Sequence, residues 1–330
     1  MLKAILSCAA LGGCGFQSKA TPGGGPPDAA ADAADHPIID GAIDGTIGGA
    51  TDCLQRWFDG DLPLSMPQAL TTLQTSGDER DPWISHDRLT LYYALDLRGS
   101  DRSDIYRATR GSPSDPFGNA MRLTNLDTTS EETRASLTMD QTTLVLASDR
   151  VNGEFDIYLT SRDSTTVEFP SADTRHVVSV NTAATSHFDP FLTADGKKLY
   201  LTTAPIGLNQ HIAVATRSDP GGDFGAPSTV RVINDPGSAD ADPSVSEDDR
   251  LIVFSSFRPT GLLPTGGTHL WYATRQDAMG DFGSPKPIPL VNSNDQDSDP
   301  MLSADGCELY FASTRGAGKD YDLYVSRIAP

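Results

Sequence analysis

Short stretches along the chain alternate apolar and polar residues with period two. The pairs Leu91/Tyr93, Leu144/Leu146, Leu199/Leu201, Ile252/Phe254 and Leu309/Phe311 each place two apolar side chains on one face of an extended segment, which predicts a strand. Each pair begins four residues after an aspartate, and each aspartate closes the same sentence: apolar, Ser or Thr, any residue, Asp. The five copies are Ile84–Asp87, Leu137–Asp140, Leu192–Asp195, Val245–Asp248 and Leu302–Asp305, with the aspartates 53, 55, 53 and 57 residues apart. A fixed period of this size marks one supersecondary unit that buries its faces against its neighbours. Asp195-Gly196 and Asp305-Gly306 are hairpin signals between alternating runs, since Gly accepts positive φ without steric cost.

A third strand follows in each unit: Asp104-Ile105-Tyr106, Asp156-Ile157-Tyr158, His211-Ile212-Ala213, His269-Leu270-Trp271 and Asp322-Leu323-Tyr324. A fourth, weaker stretch carries Phe117-Gly118, Phe224-Gly225 or Phe282-Gly283 and ends near Asn125, Asn181, Asn234 or Asn292. Four antiparallel strands repeated radially are β-propeller blades, so the expected fold is all-β, a five-bladed propeller. The last repeat ends at Arg327 without a fourth strand. Trp57 to Pro63 resembles the missing Phe-Gly stretch. Residues of about 55–73 are therefore expected to complete the last blade and leave no open edge. Cys53 and Cys307 would then lie on one face of the ring and form a disulfide that clamps both ends of the domain.

The N-terminus adds a second layer. Residues 1–13 form a short positive segment and a short apolar run. Leu11-Gly12-Gly13-Cys14 resembles the bacterial lipobox, which implies a signal peptide and a lipidated Cys14. Residues 14–52 are rich in Gly, Ala, Pro and Asp, a composition that favours a tether over a packed core. Residues 53–330 are the propeller domain. The expectation is an exported, outer-membrane lipoprotein on the periplasmic or surface side, held at the membrane by its lipid alone.

A formal net charge of −20 argues against nucleic acid and against electrostatic adhesion to anionic lipid. The main candidate chemistry is at the start of each first strand, where Asp81-Pro82, Asp189-Pro190, Asp242-Pro243 and Asp299-Pro300 recur and Arg134-Ala135 breaks the series. First strands line a propeller's channel, so Asp81, Arg134, Asp189, Asp242 and Asp299 are expected to ring one mouth. This is a binding mouth for a polar ligand, or a Ca²⁺ site near Asp240, Asp242, Asp295, Asp297 and Asp299, since hard cations take clustered oxygens. The alternative is that each aspartate serves its own blade, through its loop or through Arg98, Arg150, Arg258 or Arg315. Blade-specific departures are sharper pointers: Arg134, the Arg-less Thr203-Ala204-Pro205, and the longer loop Pro259 to Thr268. There is no Gly-x-Ser-x-Gly elbow, His-Glu-x-x-His, phosphate loop or dinucleotide fingerprint in the sequence.

The unit from Asp299 to Tyr324, with Asp81 to Tyr106 and Asp189 to Leu201, resembles the WD40-like PD40 repeat of the TolB family. The resemblance covers roughly residues 55–328. It implies a periplasmic or surface propeller that binds protein or small polar ligands through one face. TolB proteins carry six blades and an N-terminal α/β domain, whereas five repeats and a tether are present here, so the TolB role is not carried over. Related propellers are fused to peptidase domains, and no such domain is expected in this chain. Three functions follow in order: a non-enzymatic, lipid-anchored, monomeric module for an envelope protein, without cofactor; a glycan- or Ca²⁺-binding propeller, supported if Trp83 or Trp271 is exposed; and a five-bladed glycoside hydrolase. Arg80-Asp81-Pro82-Trp83-Ile84 resembles the general-base segment of such hydrolases.

Overall fold

A computed structural model describes residues 53–97, 102–151, 153–171, 174–261, 263 and 267–329. The expected signal peptide (1–13), Cys14, the expected tether (14–52), Arg98 and part of the Pro259–Thr268 loop lie outside these residues. The domain is a five-bladed β-propeller of four-stranded antiparallel sheets. Blade 1 comprises β2 (Asp78–Ile84), β3 (Thr90–Asp96), β4 (Ser103–Thr109) and β5 (Gly118–Arg122). Blade 2 comprises β6 (Glu132–Leu137), β7 (Thr143–Ser148), β8 (Asp156–Ser161) and β9 (Arg175–His176). Blade 3 comprises β10 (Thr185–Leu192), β11 (Lys198–Pro205), β12 (His211–Thr216) and β13 (Ser228–Thr229). Blade 4 comprises β14 (Asp240–Val245), β15 (Leu251–Ser256), β16 (His269–Thr274) and β17 (Lys286–Pro287). Blade 5 comprises β18 (Asp297–Leu302), β19 (Glu308–Ser313), β20 (Asp322–Arg327) and, from the start of the chain, β1 (Gln68–Ala69). The first strands touch in cyclic order, β2–β6–β10–β14–β18 and back to β2, so the ring is closed. The core lies between blades; one buried cluster takes residues from all five.

The repeated sentence is a fastener for the hairpin between strands one and two. The hydroxyls of Ser85, Thr138, Thr193, Ser246 and Ser303 donate to Oδ1 of Asp87, Asp140, Asp195, Asp248 and Asp305 at 2.6–2.7 Å. The same oxygen accepts the backbone N–H two residues on, at Leu89, Thr142, Lys197, Arg250 and Cys307. This side-chain turn fixes the hairpin locally. The residue after each aspartate has positive φ, at Arg88, Gln141, Gly196, Asp249 and Gly306. At 306 a side chain would also crowd the N-terminal segment, since a Cβ there would lie 2.7 Å from Leu54 Cδ2.

Closure differs from expectation in register. Trp57 and Phe58 belong to a helix, α1 (Cys53–Asp59), and the strand is Gln68–Ala69, preceded by a bridge from Leu64 to Ile328. The backbone identifies the true counterpart of Phe-Gly. Gly225 N and Gly283 N donate to the last residues of the third strands, Thr216 O and Thr274 O, and Ser65 N donates to Arg327 O. Leu64-Ser65 therefore fills that place, seven residues beyond Trp57-Phe58. Trp57 is instead buried against Tyr272, with ring centroids 5.3 Å apart, and its indole N–H donates to Gly306 O. Cys53, at the start of α1, is disulfide-bonded to Cys307. Asn181, Asn234 and Asn292 brace the third strands through paired bonds to the backbone of Ile157, Ile212 and Leu270. In blade 1, Asp127 stands four residues after Leu123 where these three stand after Val177, Val230 and Ile288, so Asn125 is not their equivalent.

Candidate functional site in the central channel

Each first strand carries a bulge at one position. Pairing slips between Arg80 and Trp83, Thr133 and Ser136, Phe188 and Phe191, Ala241 and Ser244, and Ser298 and Met301. Bulges re-aim side chains. The re-aimed residues are Asp81, Arg134, Asp189, Asp242 and Asp299, all with φ between 47° and 56°. Positive φ is uncommon outside glycine, and here it recurs five times at one level of the ring. All five side chains are buried.

They interact across the axis. Arg134 Nη1 lies 3.6 Å from Asp81 Oδ1, while Nη2 donates to Pro243 O and Pro300 O, both at 3.3 Å. Arg80 Nε is 3.2 Å from Asp299 Oδ2, and its guanidinium stacks on Tyr321 at 4.2 Å. Thr202 Oγ1 donates to Asp189 at 2.9 Å and accepts from Asp242 N at 3.2 Å. Asp299 N donates to Asp242 Oδ2 and Ser255 Oγ.

Burial and neighbouring charge split these carboxyls. Burial pushes Asp299 up to about 7, although Arg80 pulls the other way. Burial and the charges of Asp242 and Asp81 raise Asp189 well above the ordinary range. Burial also raises Asp81 in spite of Arg134 and Arg80. Asp242 is held low: burial opposes its charge, but Arg134 and the bonds from Asp189 and Ser255 prevail. Burial thus favours the neutral form of Asp189 and the neighbouring groups favour the charged form of Asp242.

Above this floor opens a cavity of about 420 Å³ on the face bearing the loops between strands two and three, within the size range of small-ligand sites. Arg80, Thr133, Phe188, Ala241 and Ser298, each one residue before a bulged residue, line it, with Phe155, Phe257, Tyr321, Gln210, Gln296 and Glu131 around them. Apart from Arg80, quoted within Arg80–Ile84, sequence reasoning missed these residues. Their signal was present: the position before the recurrent Asp or Arg varies from blade to blade, as a ligand-facing position in a repeat can. Trp83 and Trp271 are not cavity aromatics; they are 5% and 7% exposed and packed within the blades.

The proposed Ca²⁺ set is divided by the fold. Asp242 and Asp299 stand in the ring with Asp81, their carboxylate oxygens within 4.8 Å of one another. Asp240 accepts from Arg258 and Asp235 N, both at 2.6 Å. Asp297 is bound by Arg315, Ser313 and Ser293, and Asp295 by Lys319 at 2.6 Å. The partner of the blade arginine is thus the acid two residues before the bulge, as Glu132 with Arg150 also shows, and not the Asp of Asp-Pro. In blade 3 that acid is His187 and the arginine is missing from the sequence.

No protein-family model matches this sequence, and no curated protein does. Solved structures do. A glycoside hydrolase aligns with a TM-score of 0.60 at 11% identity, over 84% of this chain and 95% of its own. An α-L-arabinofuranosidase from Lactobacillus brevis aligns with a TM-score of 0.51 at 14% identity, over 79% and 94%. TolB from Acinetobacter baumannii aligns with a TM-score of 0.47 at 13% identity, over 83% and 67%. At these identities the likeness is one of fold.

Proposed function

We propose that this protein is a lipid-anchored propeller of the cell envelope, held through Cys14, that binds a small, uncharged, hydroxyl-rich ligand of the saccharide class in its central cavity without turning it over. The observation that carries this reading is the balance of the cavity floor. Asp81 is matched by Arg134 and Asp299 by Arg80. Such a floor offers donors and acceptors side by side with little net charge. A hydroxyl both donates and accepts, so it fits this surface better than a bare ion does. Phe155, Phe188, Phe257 and Tyr321 add apolar faces above it, as polar-ligand pockets commonly do. The fold is shared with a glycoside hydrolase and an α-L-arabinofuranosidase, which supports the ligand class.

One observation favours a hydrolase as second reading: Asp299 is raised to about 7 beside an Asp242 held low, and such a split marks acid and base. The ion pairs weigh against it: Asp299 is engaged by Arg80 and Asp81 by Arg134, so neither carboxyl stands free to act as acid or nucleophile. Isothermal titration of the full chain against mono- and oligosaccharides tests the reading, with product analysis of the same mixtures. Binding that is lost in Asp242→Ala, with the sugars recovered intact, is the expected result. Cleaved sugars would establish the hydrolase instead, and no binding across the panel would sink both.

A further inference from the structure

We infer that Arg134 sets the selectivity of the central cavity: its guanidinium lies against Asp81, in a cluster of Asp81, Asp242 and Asp299 that would otherwise hold a divalent cation. The inference rests on the cavity being the ligand site. Three carboxylate oxygens within 4.8 Å of one another match the span of a hard cation, because two Ca–O bonds of about 2.3–2.6 Å reach about 5 Å. Ca²⁺ also takes backbone carbonyls, and Pro243 O and Pro300 O lie 3.3 Å from Nη2 of the same arginine whose Nη1 is 3.6 Å from Asp81. Oxygens suited to a hard cation are therefore gathered here, and a guanidinium charge stands among them.

Arg134 is suited to that place. It is 2% exposed and crosses from blade 2 to the carbonyls of blades 4 and 5, so it cannot swing out without abandoning both. Its Nη1 has no hydrogen-bond partner among the described residues; the group acts there as charge. Arginine does not lose its proton in proteins, so the charge is permanent, and a metal ion would have to enter beside it. Blade 2 carries Arg where the other four carry Asp. Five buried carboxyls would demand a counter-ion from outside, and the chain supplies its own. The cavity is thereby closed to divalent cations and kept for uncharged ligands.

Melting temperature of the full chain is followed through a CaCl₂ titration for the native protein, Arg134→Lys, Arg134→Asn and Arg134→Met. The native protein and the Lys variant are expected not to respond. The Asn and Met variants are expected to rise by roughly 5 °C at a hundredfold excess over Kd, and adding Asp242→Asn should remove that rise. If the neutral variants are unfolded without metal, refolding in CaCl₂ should recover them. Absence of any Ca²⁺ effect in both neutral variants, folded or refolded, overturns the inference. So does a Ca²⁺ response of the native protein that Asp242→Asn abolishes. Saccharide titration of the native protein is read separately: a gained Ca²⁺ response without sugar binding upholds Arg134 and removes the proposed ligand class.

Discussion

Three residues of each first strand separate two unlike mouths of the ring. At the loop face stand Asp81, Arg134, Asp189, Asp242 and Asp299; at the hairpin face stand Ile84, Leu137, Leu192, Val245 and Leu302. The hairpin-face set is apolar in every blade and lies among Met139, Phe191 and Met301 around a space of about 50 Å³. The same face carries the five aspartate fasteners, α1 and the disulfide. The loop-face set changes sign in one blade, and the position before it changes in all five. A residue repeated without exception serves the blade; one that departs serves something outside it. The hairpin face thus holds the ring together, and the loop face meets the ligand.

The largest effect that can sharpen this contrast is loss of the clamp. Cys53→Ser with Cys307→Ser should lower stability by about 4–5 kcal/mol, as expected for a cross-link closing so long a loop. Thermal unfolding measures it, and sugar titration of the variant below its transition should give native affinity. Weakened binding in a fully folded variant would mean that the two faces are coupled. Next comes Asp240→Ala, which strands the buried Arg258 guanidinium. A loss of about 3–5 kcal/mol follows from breaking one side of a buried ion pair. His187→Ala at the same place in blade 3 should cost less, because no arginine is left there unpaired. Equal losses would show that the pair is not what pins the loop. Smaller again is Asp195→Ala, which removes one fastener; about 1 kcal/mol is expected from denaturant unfolding, with sugar binding unchanged.

The same division explains what the sequence disclosed. Blade number and strand order were readable because the fastener, from Ile84 to Asp87 and its four copies, is local chemistry within six residues. The five residues of the floor were readable because the Asp-Pro bulge repeats. The register of closure was not, since Trp57-Phe58 imitates Phe-Gly while its burial depends on Tyr272 and Gly306, more than 200 residues away. Phe155, Phe257 and Tyr321 were equally silent: they reach the cavity from loops whose positions are set by other blades. The sorting of Asp240 and Asp297 away from Asp242 and Asp299 is likewise tertiary. Two residues along a strand would share a face, but the intervening bulge turns the second side chain to the axis.

The finest separation of the two faces is by pH, because their carboxyls are shifted in opposite directions. In the fasteners burial disfavours the charge, but the Thr and Ser hydroxyls and backbone N–H groups prevail and hold Asp140, Asp195 and Asp248 low. A folded-state pKa below the unfolded value of about 3.9 means that the unfolded chain binds more protons in that range. This stability is present above pH of about 4 and is lost on further acidification. On the loop face burial raises Asp299 to about 7 and, against the Thr75 hydrogen bonds, Glu79 to about 7. There the folded chain binds more protons, so stability declines as pH rises from about 4 to 7. Melting temperature should therefore peak near the lower end of that window and fall on both sides. Glu79→Gln with Asp299→Asn should flatten the decline toward neutrality and leave the acid limb in place. Asp195→Asn should soften the acid limb alone. If the first pair leaves the neutral slope untouched, the excess protons are held elsewhere, and Asp299 is ionised beside Arg80. The floor would then carry one more negative charge, with Arg80 and Arg134 to offset it.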